Sequence, residues 1–95
     1  MEISSSSNVV TIIGNIKTVN DFQQIKSLLD SVTRQHKSVT LQIKDSLSIT
    51  SSVIGYLNKL ILKDKINLNM NVGNAKLLEL IEDLNLTSTF KARKP

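Results

Sequence analysis

Two runs of hydroxyl residues stand out in this chain: Ser4 to Ser7, and Thr50-Ser51-Ser52 directly before an apolar helical pattern. Serine and threonine are favoured N-caps, so the second run marks a helix start on local grounds alone. Nucleophilic use of Ser52 would need a base. His36 is the only histidine and sits at the end of a predicted helix remote from residue 52, so no triad is expected. One histidine and no cysteine cannot assemble an ordinary zinc site, and the lack of cysteine excludes disulfides, thiolate metal sites and a thiol nucleophile. Asp64, Glu79, Glu82 and Asp83 read as solvated helical positions, because no apolar pocket is evident that would shift their pKa values. Gly14, Gly55 and Gly73 are isolated, so there is no glycine-rich phosphate loop. The residues imply no metal, no cofactor and no catalysis.

The bulk properties set the frame in which these side chains are held. Ninety-five residues make one domain, and 40% apolar residues suffice for its core. Three of the twelve basic residues, Lys91, Arg93 and Lys94, fall in the last five positions, and the other nine nearly balance the eight acidic ones. The folded part, 1–90, is thus expected to be near neutral with a basic C-terminal tail at 91–95, and not to present the basic face of a nucleic-acid binder. The apolar runs are far short of the roughly 20 residues that span a bilayer. The start, Met1-Glu2-Ile3 and then four serines, lacks the basic and apolar regions of a signal peptide. A cytoplasmic protein without direct membrane insertion is the expectation.

Periodicity supplies the elements. A very short strand near Glu2-Ile3 is followed by a serine turn and a strand at Val9 to Ile13. Val19, Phe22, Ile25, Leu28, Leu29 and Val32 recur at three- and four-residue spacing, which predicts a helix over 19–35. Thr18 or Asn20 can cap it, and Asn20 with Gln23 fits a capping box. Val39, Leu41 and Ile43 alternate with polar residues as a half-buried strand, and a loop follows at 45–48. A helix from about Ser52 to Lys63 carries Val53, Ile54, Leu57, Leu60 and Ile61 on its apolar face. Tyr56 falls off that stripe, either as an exposed anchor for a partner or edge-on against the next strand. Ile66, Leu68, Met70 and Val72 alternate with three asparagines as another strand. Asn74 then caps a helix with Leu77, Leu78, Ile81 and Leu84 as its buried stripe, and Leu86 and Phe90 pack back on the body.

The order β-β-α-β-α-β-α predicts a mostly parallel α/β sheet with right-handed crossovers, in one domain. Parallel strands covered on both faces read as continuous apolar runs, whereas these alternate. The helices are therefore expected on one face, with the other face open.

This order, with the residues near position 50, resembles the STAS family (sulfate transporter and anti-sigma factor antagonist domains) over nearly the whole chain. The family pattern of a strand ending in Gly-x-Leu/Ile is matched by Gly14-Asn15-Ile16, and its Val-Val-Leu-Asp-Leu strand by Val39-Thr40-Leu41-Gln42-Ile43. Its Asp-Ser-Ser-Gly-Leu-Gly-x-Leu helix start is matched by Thr50-Ser51-Ser52-Val53-Ile54-Gly55-Tyr56-Leu57. Both serines and the second glycine are kept; Thr50, Val53 and Gln42 stand where the family has Asp, Gly and Asp. Asn74, Leu77-Leu78-Glu79-Leu80-Ile81 and Phe90 match its closing cap, helix and terminal Phe.

The resemblance implies a non-enzymatic, bacterial protein-binding module. In the anti-sigma factor antagonist branch the second serine is phosphorylated by a partner kinase, which implies Ser52 as the phosphorylation candidate. Thr50, Ser51, Ser52, Val53, Gly55 and Tyr56 are the expected partner-binding residues. The implied partner is an anti-sigma factor or related GHKL-type serine kinase, in a partner-switching system. The alternative is a constitutive STAS subunit that holds the ATPase of an ABC-type lipid transporter. A small enzyme of flavodoxin-like shape is disfavoured by the one-sided sheet and the missing catalytic groups.

Overall fold

In a computed structural model that describes residues 1–95, alternation along the strands decides the architecture. β2 (Val9–Ile13), β3 (Ser38–Lys44) and β4 (Asn67–Val72) each bury every second side chain. Val10 and Ile12, Val39, Leu41 and Ile43, and Leu68, Met70 and Val72 make one apolar sheet face. Thr40, Gln42, Asn69 and Asn71 lie on the other face and remain half-exposed.

The sheet has five strands in chain order. β1 (Glu2–Ser6) pairs antiparallel with β2, in the unbroken register Glu2 to Ile13 through Ser6 to Val9. β2, β3 and β4 are parallel, and β5 (Ala92–Arg93) adds parallel to β4. The crossovers are α1 (Val19–Gln35), α2 (Ser51–Leu62), and α3 (Ala75–Asp83) with α4 (Thr87–Phe90). Crossovers of one hand that step the same way along a sheet place their helices on one side. The buried stripes Ile25, Leu29 and Val32, then Val53, Leu57 and Leu60, then Leu77, Leu78 and Ile81 belong with the sheet's apolar face to a single core.

The termini differ from the sequence expectation. Ser4 to Ser6 are strand, and only Ser7 and Asn8 turn, with Ser7 at φ 56°. Serine has little strand preference of its own; pairing with Thr11, Val10 and Val9 supplies the order. The basic tail is likewise no tail. Lys91, in left-handed conformation at φ 50°, ends α4 and turns the chain into β5. Ala92 is buried there, Lys91 donates from Nζ to Asn67, and Arg93 Nε reaches Asn71 Oδ1 at 3.4 Å. Two of the three β4 asparagines thus engage the basic C-terminal residues.

Capping differs in detail. Thr18 alone caps α1: its Oγ1 accepts from the Asp21 N–H at 3.0 Å, and Asp21 Oδ2 accepts from the Thr18 N–H at 3.1 Å. This is a capping box, with Thr18 and Asp21 in the places assigned to Asn20 and Gln23, since Asn20 is already inside the helix. Val19, the first helical residue, is 74% exposed, and Leu84, just past the end of α3, is 47% exposed, so neither joins the core.

Phe90 is wholly buried and holds the last segment against the sheet. We expect Phe90→Ala to cost about 3–5 kcal/mol, read as a lower urea midpoint with a two-state transition. An exposed control, Ser88→Ala, should leave the midpoint nearly unchanged.

Candidate functional site

The carboxyl ends of β2, β3 and β4 lie at one end of the sheet, where the N-termini of α1, α2 and α3 also gather. Three loops meet here and are stitched by hydrogen bonds. The Gly14 N–H donates to the Lys44 carbonyl at 2.9 Å, and the Gly73 N–H to the Ile43 carbonyl at 2.9 Å. Asn15 Oδ1 accepts from the Leu47 N–H at 2.8 Å, and Ser48 Oγ donates to the Ile16 carbonyl at 3.0 Å. Buried Ser46 donates from Oγ to the Ser48 carbonyl at 2.8 Å. Gly14 is at φ 97°, which suits glycine alone, and a Cβ there would stand 3.4 Å from the Met1 Cα.

These contacts fix the start of α2. Thr50 is its N-cap, with extended backbone, and its Oγ1 accepts from the Val53 N–H at 3.3 Å. The capping role therefore falls to Thr50. Ser51 and Ser52, the first two helical residues, are exposed. Ser52 borders a shallow groove of about 410 Å³ between the starts of α1 and α2, shared with Lys17, Thr18, Val19, Phe22 and Thr50. Lys17 is exposed, Val19 places an apolar side chain at the rim, and Leu47 is exposed in the β3–α2 loop.

The six expected partner-binding residues do not share one surface. Thr50, Ser51, Ser52 and Gly55 are accessible. Val53 and Tyr56 are not: Val53 is 1% exposed and Tyr56 only 6%. Tyr56 is a buried bridge between helices rather than an exposed anchor. Its aromatic and hydroxyl partners lie on α1, and a lysine of its own helix also reaches the ring. Its ring meets Phe22 edge-to-face at 6.3 Å between centroids, and its hydroxyl donates to Asp30. Lys26 Nζ lies 5.6 Å and Lys59 Nζ 5.9 Å from the ring centre. Lys26 also pairs with Asp30 at 2.8 Å. A phenol can be buried only where its hydroxyl finds an acceptor, and helix periodicity within α2 could not reveal one on α1.

His36 is the C-cap of α1, about 25 Å of helix from the groove at that helix's start. No group of three or more His, Cys, Asp or Glu side chains is gathered as a metal site. Asn15, Ser46 and Ser48, which shape the α2 loop, were not singled out from sequence as positioning residues, because their partners lie across loops.

Comparison with family models, curated proteins and solved structures gave no match.

Gly55 stands apart. It lies within α2, exposed, and beyond its chain neighbours and the helix's own backbone no atom comes within 4 Å of where a Cβ would be. Helix-interior glycine costs about 0.5–1 kcal/mol relative to alanine, and nothing in the fold requires it here. We expect Gly55→Ala to raise stability by about 0.5–1 kcal/mol in urea unfolding.

Two carboxyls lie below the ordinary carboxylate range. Asp21 is held down by the Lys17 and Thr18 backbone N–H groups. For Asp30, burial pushes upward but is outweighed by hydrogen bonds from Lys26 and Tyr56 and the positive charges of Lys26 and Lys59. Burial raises the Tyr56 phenol, and so do the hydrogen bond to Asp30 and its negative charge. A depressed Asp stabilises the fold fully above its unfolded pKa of about 3.9 and loses that contribution as pH falls through the folded value. Stability should hold level from about pH 5 to about pH 9 and decline below about pH 4, with Tyr56→Phe and Asp21→Asn each shrinking that decline. It should fall again above about pH 10, where the unfolded phenol ionises while the raised Tyr56 phenol of the fold does not. Urea midpoints measured against pH check this.

Proposed function

We propose that the chain is a non-enzymatic regulatory module that binds a partner protein at the start of α2, in the manner of the anti-sigma factor antagonists its sequence resembles. The docking surface is Thr50, Ser51, Ser52 and Gly55, with Val19 and Leu47 as its apolar margin. The observation that carries this reading is Gly55. It is a glycine kept at a stability cost on the exposed face of a helix, three and four residues from two uncommitted serines. Residues at that spacing share a helix face. A bare patch of backbone beside two hydroxyls admits close approach by another chain.

Ser52 is the proposed switch. With capping assigned to Thr50, the Ser52 hydroxyl is free to be modified. A phosphate there adds about −1.5 to −2 charges at a helix N-terminus, which tolerates anions, with Lys17 on the same groove. The module's own fold is then undisturbed, whereas a partner surface shaped for neutral serines would reject the charge. The proposed partner is a GHKL-type serine kinase or anti-sigma factor.

A second reading has its own support. Val19 and Leu47 are large apolar side chains left open at this end, as suits a lasting interface such as that with a transporter ATPase. Thr50, where the family has an acid, serves as a cap without contributing charge.

The two readings part on Ser52→Asp. We expect this variant to keep the wild-type urea midpoint or gain slightly, since an acid in the first turn is favourable. Partners are first identified by mass spectrometry after purification from the native host. Titration of the purified partner should then show Ser52→Ala binding as wild type and Ser52→Asp weakened at least about tenfold, a like-charge or desolvation penalty at an interface. Equal binding by both variants would end the switch and leave the constitutive reading.

A further inference from the structure

The two edges of the sheet are treated differently. An edge strand presents unpaired N–H and C=O groups and invites another strand unless charge, proline, a bulge or brevity protects it. β5 is protected: it is two residues long, contains Arg93, and is flanked by Lys91, Lys94 and Pro95. β1 is five residues long, has no bulge in its pairing with β2, and bears one charge, Glu2, at its start. Ser4, Ser5 and Ser6 are exposed, and alternate backbone groups along β1 point outward without a strand to receive them.

Beside this edge runs an open groove of about 540 Å³ between β1 and α1. Ile3 and Leu28 are its apolar residues; Ser5, Gln24, Ser27 and Ser31 are among the others, and none of its lining residues is charged. We propose that β1 and the adjoining flank of α1 form a two-fold interface between two copies of this chain, joined by antiparallel β1–β1 pairing into one ten-stranded sheet.

Three observations select a second copy as the occupant. Antiparallel pairing of identical strands is an isologous contact, the operation of a closed dimer. With the pair centred on Ser4, Glu2 faces Ser6 of the second copy and Ile3 faces Ser5, so no like charges oppose. Three of the chain's twelve basic residues, Lys91, Arg93 and Lys94, lie together at the opposite edge, four strand spacings or about 19 Å from β1. In the dimer the two basic edges are about 40 Å apart, well beyond a screening length of about 8 Å. A groove with no charge offers a foreign charged peptide nothing to recognise, whereas two identical neutral grooves merge across the axis and place Ile3 and Leu28 of both copies along one strip. This surface is separate from the α2 site, and the proposal does not rest on the function assigned there.

Sedimentation velocity and light scattering on the full chain, from low micromolar to submillimolar, test it. The expected result is concentration-dependent growth from the 10.5-kDa chain to twice that mass. Ser5→Lys, which sets a lysine opposite Ile3 of the second copy and diagonal to that copy's own lysine, and Ser27→Lys, which charges the neutral α1 flank in both copies, should each raise the dissociation constant at least about tenfold. Ser27→Lys introduces a stronger helix former at an exposed position and should leave the circular dichroism unchanged and the urea midpoint no lower. Hydrogen exchange should show slow amides at successive β1 residues in the dimer, and only at alternate ones in the monomer. A monomer at every concentration overturns the proposal. So does a dimer indifferent to both lysines, or outward β1 amides that slow only when another protein is added.

Discussion

Eight side chains, Val10, Ile12, Val39, Leu41, Ile43, Leu68, Met70 and Val72, form the apolar face of the sheet, all at most 1% exposed. The need to cover that face on one side only governs the rest of the molecule. It places all the crossovers together. It leaves the polar strand positions in contact with water, and it brings three helix N-termini to the carboxyl ends of the parallel strands. Burial on this scale is the main favourable term in folding, and it is indifferent to which polar residues sit at the periphery.

That indifference leaves the rim and edges free for other work. At the α2 end, the loops are held by side chains bonding to backbone: Asn15 to Leu47, Ser48 to Ile16, Thr50 to Val53. Each of these satisfies a backbone group that the sheet and helices leave unpaired. The result is a fixed platform on which Ser51, Ser52 and Gly55 are presented without structural duties. Where the helix could have been strengthened, at Gly55, it was not. Such a departure from the most stable choice supports the docking role proposed for this face.

The seam between α1 and α2 works in the opposite way. Tyr56, Phe22, Asp30 and Lys26 interlock, so a residue that sequence position alone places off the apolar stripe becomes part of the interior. The charge on Asp30 is accepted because two donors meet it, and burying the Tyr56 ring is accepted because its hydroxyl has an acceptor. This seam fixes how α2 lies against α1 and hence the shape of the groove beside Ser52.

The long elements were legible in the sequence because their signals are local. The stripe Ile25–Leu29–Val32 and the alternation Leu68–Met70–Val72 report helix and strand without knowledge of any partner, and the same alternation already implied a sheet covered on one side. The loop containing Thr50, Ser51 and Ser52 could also be placed at a helix start. What sequence could not supply depended on contacts between distant segments. Three serines became β1 because β2 lay alongside, and the basic end became β5 because Lys91 turned the chain under β4's open edge. Tyr56 left the surface because α1 received it, and Thr50 rather than Ser52 took the cap because the stitched loop set its backbone. Periodicity records which face of an element is apolar; only tertiary packing decides which neighbour meets that face, and therefore which of several equivalent hydroxyls stays free.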